Sequence, residues 1–165
     1  MDLEKEVERY KQGNQSSFTI LYHETKSLVQ FAIYSIIPKR YIVEDLVQET
    51  YVKVNQMISN YQSKNFRSWI YSIAKNTALD YLRKKKEMQV DTLDTLPDIK
   101  STHPYLYYAI RHLDEAEKEV FLMKVLCGHT TRKIAEILDV KPSVINQYYY
   151  SAKQKLKKCL EENPL

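Results

Sequence analysis

Glycine, proline and cysteine are scarce in this chain, whose 165 residues include two, five and two of them respectively. Glycine and proline interrupt helices, so their scarcity, beside abundant Lys, Leu, Ile, Tyr, Glu and Gln, favours helix throughout. Cys127 and Cys159 form neither a CxxC pair nor any metal-ligand spacing. These absences predict a reduced, all-α protein without a metal site.

Long apolar runs are absent as well. No segment approaches the roughly 18 to 20 apolar residues that are needed to cross a bilayer. The N-terminal sequence MDLEKEVERYKQ is charged and lacks the apolar stretch of a signal peptide. We therefore expect a cytoplasmic protein with no membrane insertion.

The residue types that usually carry catalysis form no recognisable group. The histidines are scattered, and Cys127 lies at the end of an apolar helix, where burial is more typical than reactivity. No glycine-rich phosphate loop occurs. The sequence predicts that the protein is not an enzyme and needs no cofactor. The four histidines are His23, His103, His112 and His129.

Charge is distributed unevenly along the chain, although the net charge is only +4. Residues 61–87 contain 7 Lys/Arg and 2 Asp/Glu, and residues 117–165 contain 9 and 6. Between these two segments, residues 88–116 contain 2 Lys/Arg and 5 Asp/Glu. Two basic zones separated by an acidic one suggest two contacts with a polyanion such as nucleic acid, or else two solvated helix faces.

Helical periodicity divides the first half of the chain into four helices. A short helix over residues 2–11 stops near Gly13, and Ser16 and Ser17 are candidate caps for the helix that runs to Pro38. The third and fourth helices each have an apolar stripe at i, i+3, i+4 and i+7 spacing. The stripes are Val43, Leu46, Val47, Thr50, Val54 and Ile58, and then Phe66, Trp69, Ile70, Ile73, Ala74, Thr77, Tyr81 and Leu82.

The segment MQVDTLDTLPDIKSTHP, residues 88–104, is acidic, rich in turn residues and aperiodic. We interpret it as a flexible linker between two small helical domains, residues 1–87 and 105–165. The second domain is predicted to contain helices near 105–112, 114–127, 130–138 and 143–160.

The second domain has the pattern of a helix-turn-helix. Ile134, Ala135 and Leu138 face inward, Val140 fills the turn, and Ile145 and Tyr148 pack from the second helix. In the turn, Asp139 occupies a position that often requires positive φ, and Pro142 suits the start of the second helix. Tyr148, Tyr149 and Tyr150 span nearly a full turn, so Tyr148 or Tyr149 is expected in the core.

The outer face of the second helix suits DNA. Asn and Gln can pair with adenine edges, while hydroxyls and lysines reach phosphates. Lys155, Lys157 and Lys158 would add salt-dependent attraction. A helical hairpin used for protein contact is the alternative. The face presents Ser143, Asn146, Gln147, Tyr150 and Lys153.

The fourth helix predicts a second nucleic-acid surface, because aromatic rings can stack on unpaired bases while cations follow the phosphates. One face carries Asn76, Asp80 and Arg83, and a neighbouring ridge carries Arg67, Tyr71 and Lys75, followed by Lys84 and Lys86. Phe66 and Trp69 are expected in the core instead.

Together these segments resemble a known family. DLVQETYVKV followed by FRSWIYSIAKNTALDYLRKK is similar to region 2 of bacterial sigma factors of the sigma-70 family. LDEAEKEVFLMKVLCGHTTRKIAEILDVKPSVINQYYYSAKQKL is similar to region 4. The resemblance covers residues 15–87 and 105–160. Because only a short linker separates the two regions, the chain resembles the compact extracytoplasmic-function (ECF) group.

The resemblance implies binding to core RNA polymerase and promoter recognition, melting and transcription initiation. The partners implied are the β′ clamp and β flap of the polymerase, promoter DNA and an anti-sigma factor. Polymerase binding falls to Asp45, Gln48 and Glu49. Binding of the −10 element falls to Asn60, Lys64, Asn65, Arg67, Tyr71, Lys75, Asn76, Asp80, Arg83 and Lys84. Binding of the −35 element falls to Thr131, Arg132, Lys141, Ser143, Asn146, Gln147, Tyr150 and Lys153.

The recognition helix departs from the family pattern at its start. Many ECF members have Gly-Thr-Val-Lys-Ser-Arg where this chain has SVINQY, residues 143–148, so no base preference follows from the resemblance. Two other functions fit the same sequence: a helix-turn-helix regulator that does not replace sigma, and a helical protein-interaction adaptor.

Overall fold

The computed structural model describes residues 2–87 and 109–162 of the chain, and these residues contain helices and no strand. The chain divides into two compact units, Met1–Asp98 and Ile99–Leu165. The prediction of an all-α fold with a helix-turn-helix in the second unit is confirmed. The predicted linker, residues 88–104, lies outside the described residues.

The first unit contains α1 (Leu3–Lys11), α2 (Gln15–Tyr34), α3 (Arg40–Met57), a 3-10 turn (Ile58–Asn60) and α4 (Phe66–Glu87). Gly13, with φ of 98°, follows α1 as predicted. The cap of α2 is Asn14 rather than Ser16 or Ser17, because the Asn14 side chain accepts a hydrogen bond from the Ser16 N–H at 3.2 Å.

The core of the first unit forms where α2 packs against α1, α3 and α4. All six residues of the predicted α3 stripe are buried, and so are Phe66 and four others of the α4 stripe. Trp69 and Tyr81 are half-buried. Leu82 is 40% exposed, contrary to the prediction, because no residue from Leu79 to Lys86 is buried and the end of α4 leaves the core.

The second unit contains α5 (Glu115–Val125), α6 (Thr131–Leu138) and α7 (Pro142–Glu162). A capping box starts α5, since the Asp114 N–H donates to the Glu117 carboxylate at 3.0 Å and the Asp114 side chain accepts in return. Both α5 and α6 pack against α7. The helix predicted near 105–112 lies largely outside the described residues, although Ala109 and Ile110 are helical and buried.

None of the helices in the described residues combines the length and the apolar character that a membrane-spanning helix requires.

Candidate nucleic-acid and polymerase interfaces

The turn between α6 and α7 has the geometry of a helix-turn-helix. Asp139 adopts φ of 52° and ψ of 48°, which confirms the predicted positive φ. The Val140 N–H donates to the Ala135 carbonyl at 3.0 Å, and Ala135 is 4% exposed between the helices. Ile134 and Ile145 are fully buried as predicted. Val140 is 37% exposed and does not fill the turn.

The three consecutive tyrosines of α7 point in different directions. Tyr149 stacks on Phe121 of α5 with ring centroids 6.3 Å apart, so it is the tyrosine of the three that packs against the unit. Tyr148 is 37% exposed, contrary to the prediction that it packs inward, and Tyr150 is 67% exposed. Ala152 and Leu156 are buried and continue the inner side of α7 in place of Tyr148.

The outer face of α7 is fully accessible. Every residue that was predicted to face DNA from α7 is exposed, as are Arg132 and Lys141. Thr131 is half-buried and donates a hydrogen bond to Asn146 Oδ1 at 3.3 Å, while Lys124 donates to the Thr131 hydroxyl. Sequence reasoning missed Lys124, because nothing in the pattern of α5 indicates that its ammonium group reaches α6.

A polar cluster fixes α7 against the start of α5. Lys155 Nζ lies 2.9 Å from the Asp114 carboxylate and 2.8 Å from the Glu117 carboxylate, and Ser151 donates to Glu117 at 2.6 Å. Glu117 is only 4% exposed. Since α7 also carries the outward-facing polar residues, this cluster, together with the buried residues Ile145, Ala152 and Leu156, holds the helix that presents them.

In the first unit, a loop of residues 61–65 leads from the 3-10 turn into α4. Asn65 caps α4 by accepting from the Ser68 N–H at 2.9 Å. Glu4 of α1 accepts from the Phe66 N–H at 2.7 Å and from the Tyr61 hydroxyl at 2.8 Å. Burial, and then the bond to Glu4, raise the pKa of Tyr61, which keeps its hydroxyl a donor.

An aromatic cluster underlies this loop. The rings of Tyr61, Phe66 and Trp69 lie with centroids 5.0 to 5.7 Å apart. Phe66 is buried, as the sequence predicts. Tyr71 was expected on an exposed ridge, and this placement is wrong: Tyr71 is 6% exposed. Because α4 packs against both α2 and α3, its buried arc is wider than one stripe.

The remaining polar residues of the loop and of α4 form a surface that reaches solvent. Asn60, Lys64, Asn76, Arg83 and Lys84 are exposed, and Asn65, Arg67, Lys75 and Asp80 are half-buried. Arg83 Nη2 lies 2.5 Å from the Asp80 carboxylate on the same helix. Arg67 lies 3.8 Å from the Glu24 carboxylate of α2.

The polar face of α3 lies opposite its buried stripe. Asp45, Gln48 and Glu49 are all exposed. Lys53 Nζ lies 2.7 Å from the Glu49 carboxylate and donates to the Thr77 hydroxyl of α4 at 3.1 Å. The result is an acidic and amide-bearing face on a rigidly packed helix.

The described part of the chain contains no group of three His, Cys, Asp or Glu side chains placed to hold a metal ion. Cys127 and Cys159 are not joined by a disulfide.

Comparison with known proteins gives two family matches in the order of the two units. Residues 21–88 match the family model for Sigma-70 region 2, and residues 104–156 match that for Sigma-70, region 4. Together the two matches span most of the chain.

Curated relatives agree with these matches. The ECF RNA polymerase sigma factor SigE of Mycolicibacterium smegmatis is 26% identical over 79% of this chain and 56% of its own length. The ECF RNA polymerase sigma factor BldN of Streptomyces coelicolor is 24% identical over 95% of this chain and 65% of its own length. The chain therefore spans less than two thirds of either relative.

A solved structure shares the fold. The sigma factor RpoE of Bartonella quintana, crystallised in complex with the anti-sigma factor NepR, aligns with a TM-score of 0.62 and 21% identity. The alignment covers 88% of this chain and 96% of that one. With regions 2 and 4 matched in order and relatives of one kind, this chain belongs to the sigma-70 family of RNA polymerase sigma factors, in the ECF group.

Proposed function

We propose that this chain is a cytoplasmic initiation factor that binds core RNA polymerase and directs it to promoters. The first unit binds the β′ clamp and opens the −10 element, and the second binds the β flap and the −35 element. The chain contributes binding energy and performs no chemistry. A partner of the anti-sigma type, such as the one that accompanies the Bartonella protein, would compete for these surfaces.

The observation that carries this proposal is the presence of both matched regions in one chain, each with an accessible polar face on a packed helical scaffold. Two weak contacts on one chain act together, because binding of the first makes the second intramolecular. Each unit alone offers only a small surface to DNA.

The polymerase contact is assigned to Asp45, Gln48 and Glu49. Carboxylates and amides on an exposed helix face suit a basic partner helix, and their exposure leaves them free of any role in the core. Lys53 holds the Glu49 carboxylate from within the same helix, which restrains the side chain before a partner binds.

The −10 contact is assigned to Asn60, the loop of residues 61–65 and the outer face of α4, without Tyr71, because its ring is buried. The −35 contact is assigned to the outer face of α7, with Thr131, Arg132 and Lys141 beside it. Exposed lysine and arginine supply affinity through phosphates, and Asn146 and Gln147 supply base contacts. The cations of the −10 contact are Lys64, Arg67, Lys75, Arg83 and Lys84.

The proposal is tested by binding the chain to forked promoter DNA from its own genome, with and without core polymerase, over a range of salt concentrations. We expect tight, salt-sensitive binding only when polymerase is present. Equally tight binding to DNA without polymerase would favour a helix-turn-helix regulator. Salt-insensitive binding of the chain to polymerase, with no binding to DNA, would favour an adaptor.

A further inference from the structure

We propose that Glu4 is a positioning residue that holds the loop of residues 61–65 ready for strand separation at the −10 element. This inference rests on the proposed function of that loop. The matched part of region 2 begins at residue 21, so α1, which contains Glu4, lies outside it.

One carboxylate joins the two ends of the loop. The Tyr61 hydroxyl, at the start, donates to Glu4 Oε2 at 2.8 Å. The Phe66 N–H, at the end, donates to Glu4 Oε1 at 2.7 Å. Phe66 is the first residue of α4, so the carboxylate also lies where the helix dipole favours negative charge.

A second residue of α1 holds the same end of the loop. Lys11 Nζ donates to the Tyr61 carbonyl at 2.7 Å and lies 5.6 Å from the centre of the Tyr61 ring. Tyr10 donates to the Asn55 side chain and so joins α1 to α3. Residues at both ends of α1 therefore fix the loop, although 57 residues separate Glu4 from Tyr61.

These contacts are separate from those that dock α1. The helix is anchored by Leu3 and Val7, which are 7% and 0% exposed. Glu4 itself is half-buried and is not one of the buried residues of α1. We therefore expect removal of its carboxylate to leave the packing of α1 in place.

Holding both ends of the loop lowers the entropy that it loses on binding DNA. The residues in the middle, Gln62, Ser63 and Lys64, are exposed and available to a nucleic acid. A loop that is already fixed at its ends loses less entropy when it adopts the bound conformation, and we expect that difference to lower the barrier of the step in which the −10 base pairs separate.

The test uses the full chain with core polymerase, on a promoter where the unchanged chain starts transcription. Strand opening is followed by the fluorescence of 2-aminopurine placed in the −10 element. We expect Glu4→Ala to slow opening by about five- to tenfold on duplex DNA, as lost hydrogen bonds of this kind would. On a template already mismatched across the −10 element, the rate of the fluorescence change for Glu4→Ala should equal that for the unchanged chain.

Three further variants sharpen the test. Glu4→Gln keeps an acceptor for the Phe66 N–H and should restore part of the rate. Tyr61→Phe removes only the hydroxyl, and its effect should not add to that of Glu4→Ala, because Glu4→Ala already breaks the hydrogen bond that Tyr61→Phe removes. Lys5→Ala, on the exposed side of α1, should behave as the unchanged chain.

Equal opening rates for Glu4→Ala and Lys5→Ala would overturn the inference. An equal loss of rate for Glu4→Ala on the duplex and the mismatched templates would overturn it too. If Glu4→Ala fails to fold, Tyr61→Phe decides, and an unchanged rate for it would overturn the inference too. Failure of the unchanged chain to start transcription anywhere would instead refute the proposed function.

Discussion

The ammonium group of Lys155 lies 2.8 Å from the carboxylate of Glu117, which joins the middle of α7 to the first turn of α5. Burial on its own would raise the pKa of Glu117. Hydrogen bonds from Lys155, Ser151 and the Asp114 N–H outweigh burial and lower the pKa below its ordinary value. The second unit is thus stabilised by an ionised carboxylate in its interior.

This contact predicts an acid-sensitive second unit. Because the pKa of Glu117 is lower in the folded chain, its stabilisation is complete above the ordinary carboxyl value near 4.5 and is lost as the pH falls through the folded value. We expect the melting temperature of Glu117→Gln to depend less on pH below 4.5 than that of the unchanged chain. Calorimetry between pH 3 and 7 measures the melting temperatures, and Glu162→Gln, a change at an exposed carboxylate, is the control.

The first unit depends on Phe66 more than on its neighbour Trp69. Phe66 is 1% exposed, so Phe66→Ala should cost roughly 3–5 kcal/mol of unfolding free energy. Trp69→Ala should cost clearly less, because Trp69 is half-buried. Urea denaturation followed by circular dichroism measures both. A larger loss for Trp69→Ala would contradict this packing.

The turn of the helix-turn-helix contains backbone strain at Asp139, the one described residue other than glycine with positive φ. Asp139→Gly should stabilise the second unit by up to about 1 kcal/mol, whereas Asp139→Ala should destabilise it by a similar amount. Thermal melting of the two variants beside the unchanged chain measures the difference. Equal stability of the Gly and Ala variants would show that the turn is not left-handed.

Base contacts and phosphate contacts of α7 should separate experimentally. Replacing Asn146 and Gln147 by Ala should weaken the binding free energy for promoter DNA by roughly 1–3 kcal/mol for each lost bidentate base contact, with little change in the salt dependence of binding. Lys153→Ala should lower the slope of log affinity against log salt by about 1. Titration of promoter DNA with the holoenzyme at several salt concentrations measures both. The same loss on DNA without a −35 element would contradict the base contacts.

The polymerase contact of α3 should be removable without loss of fold. Replacing Asp45 and Glu49 by Lys should weaken binding to core polymerase at least tenfold, since like charges would then face a basic partner. Replacing Glu161 and Glu162 by Lys makes the same charge change far along the chain and should leave the affinity unchanged. Unaltered affinity with the first pair, or loss of fold, would contradict the assignment.

Local pattern predicted most of the interior of α3, but it missed Ile42 and Tyr51, which are also buried. It failed for Tyr71, since α4 packs against two helices and buries a wider arc than periodicity suggests. The prediction from local pattern also failed for Tyr148, because Ala152 and Leu156 from the following turns form the buried side of α7 instead.

The contacts that orient the candidate surfaces were beyond reach of the sequence. Glu4, Lys124 and Lys155 act on residues that the fold alone brings near them, over separations of up to 62 residues. Charged residues on exposed helices are common and usually solvated, so such pairings leave no local signal.

The most direct measurement is single-round run-off transcription on genomic promoter fragments with core polymerase, the purified chain and no other sigma factor. We expect transcripts with defined 5′ ends that appear only when the chain is present, and that disappear when Asp45 and Glu49 are replaced by Lys. Absence of any defined start, with an active core enzyme and a folded chain that binds DNA, would contradict the account.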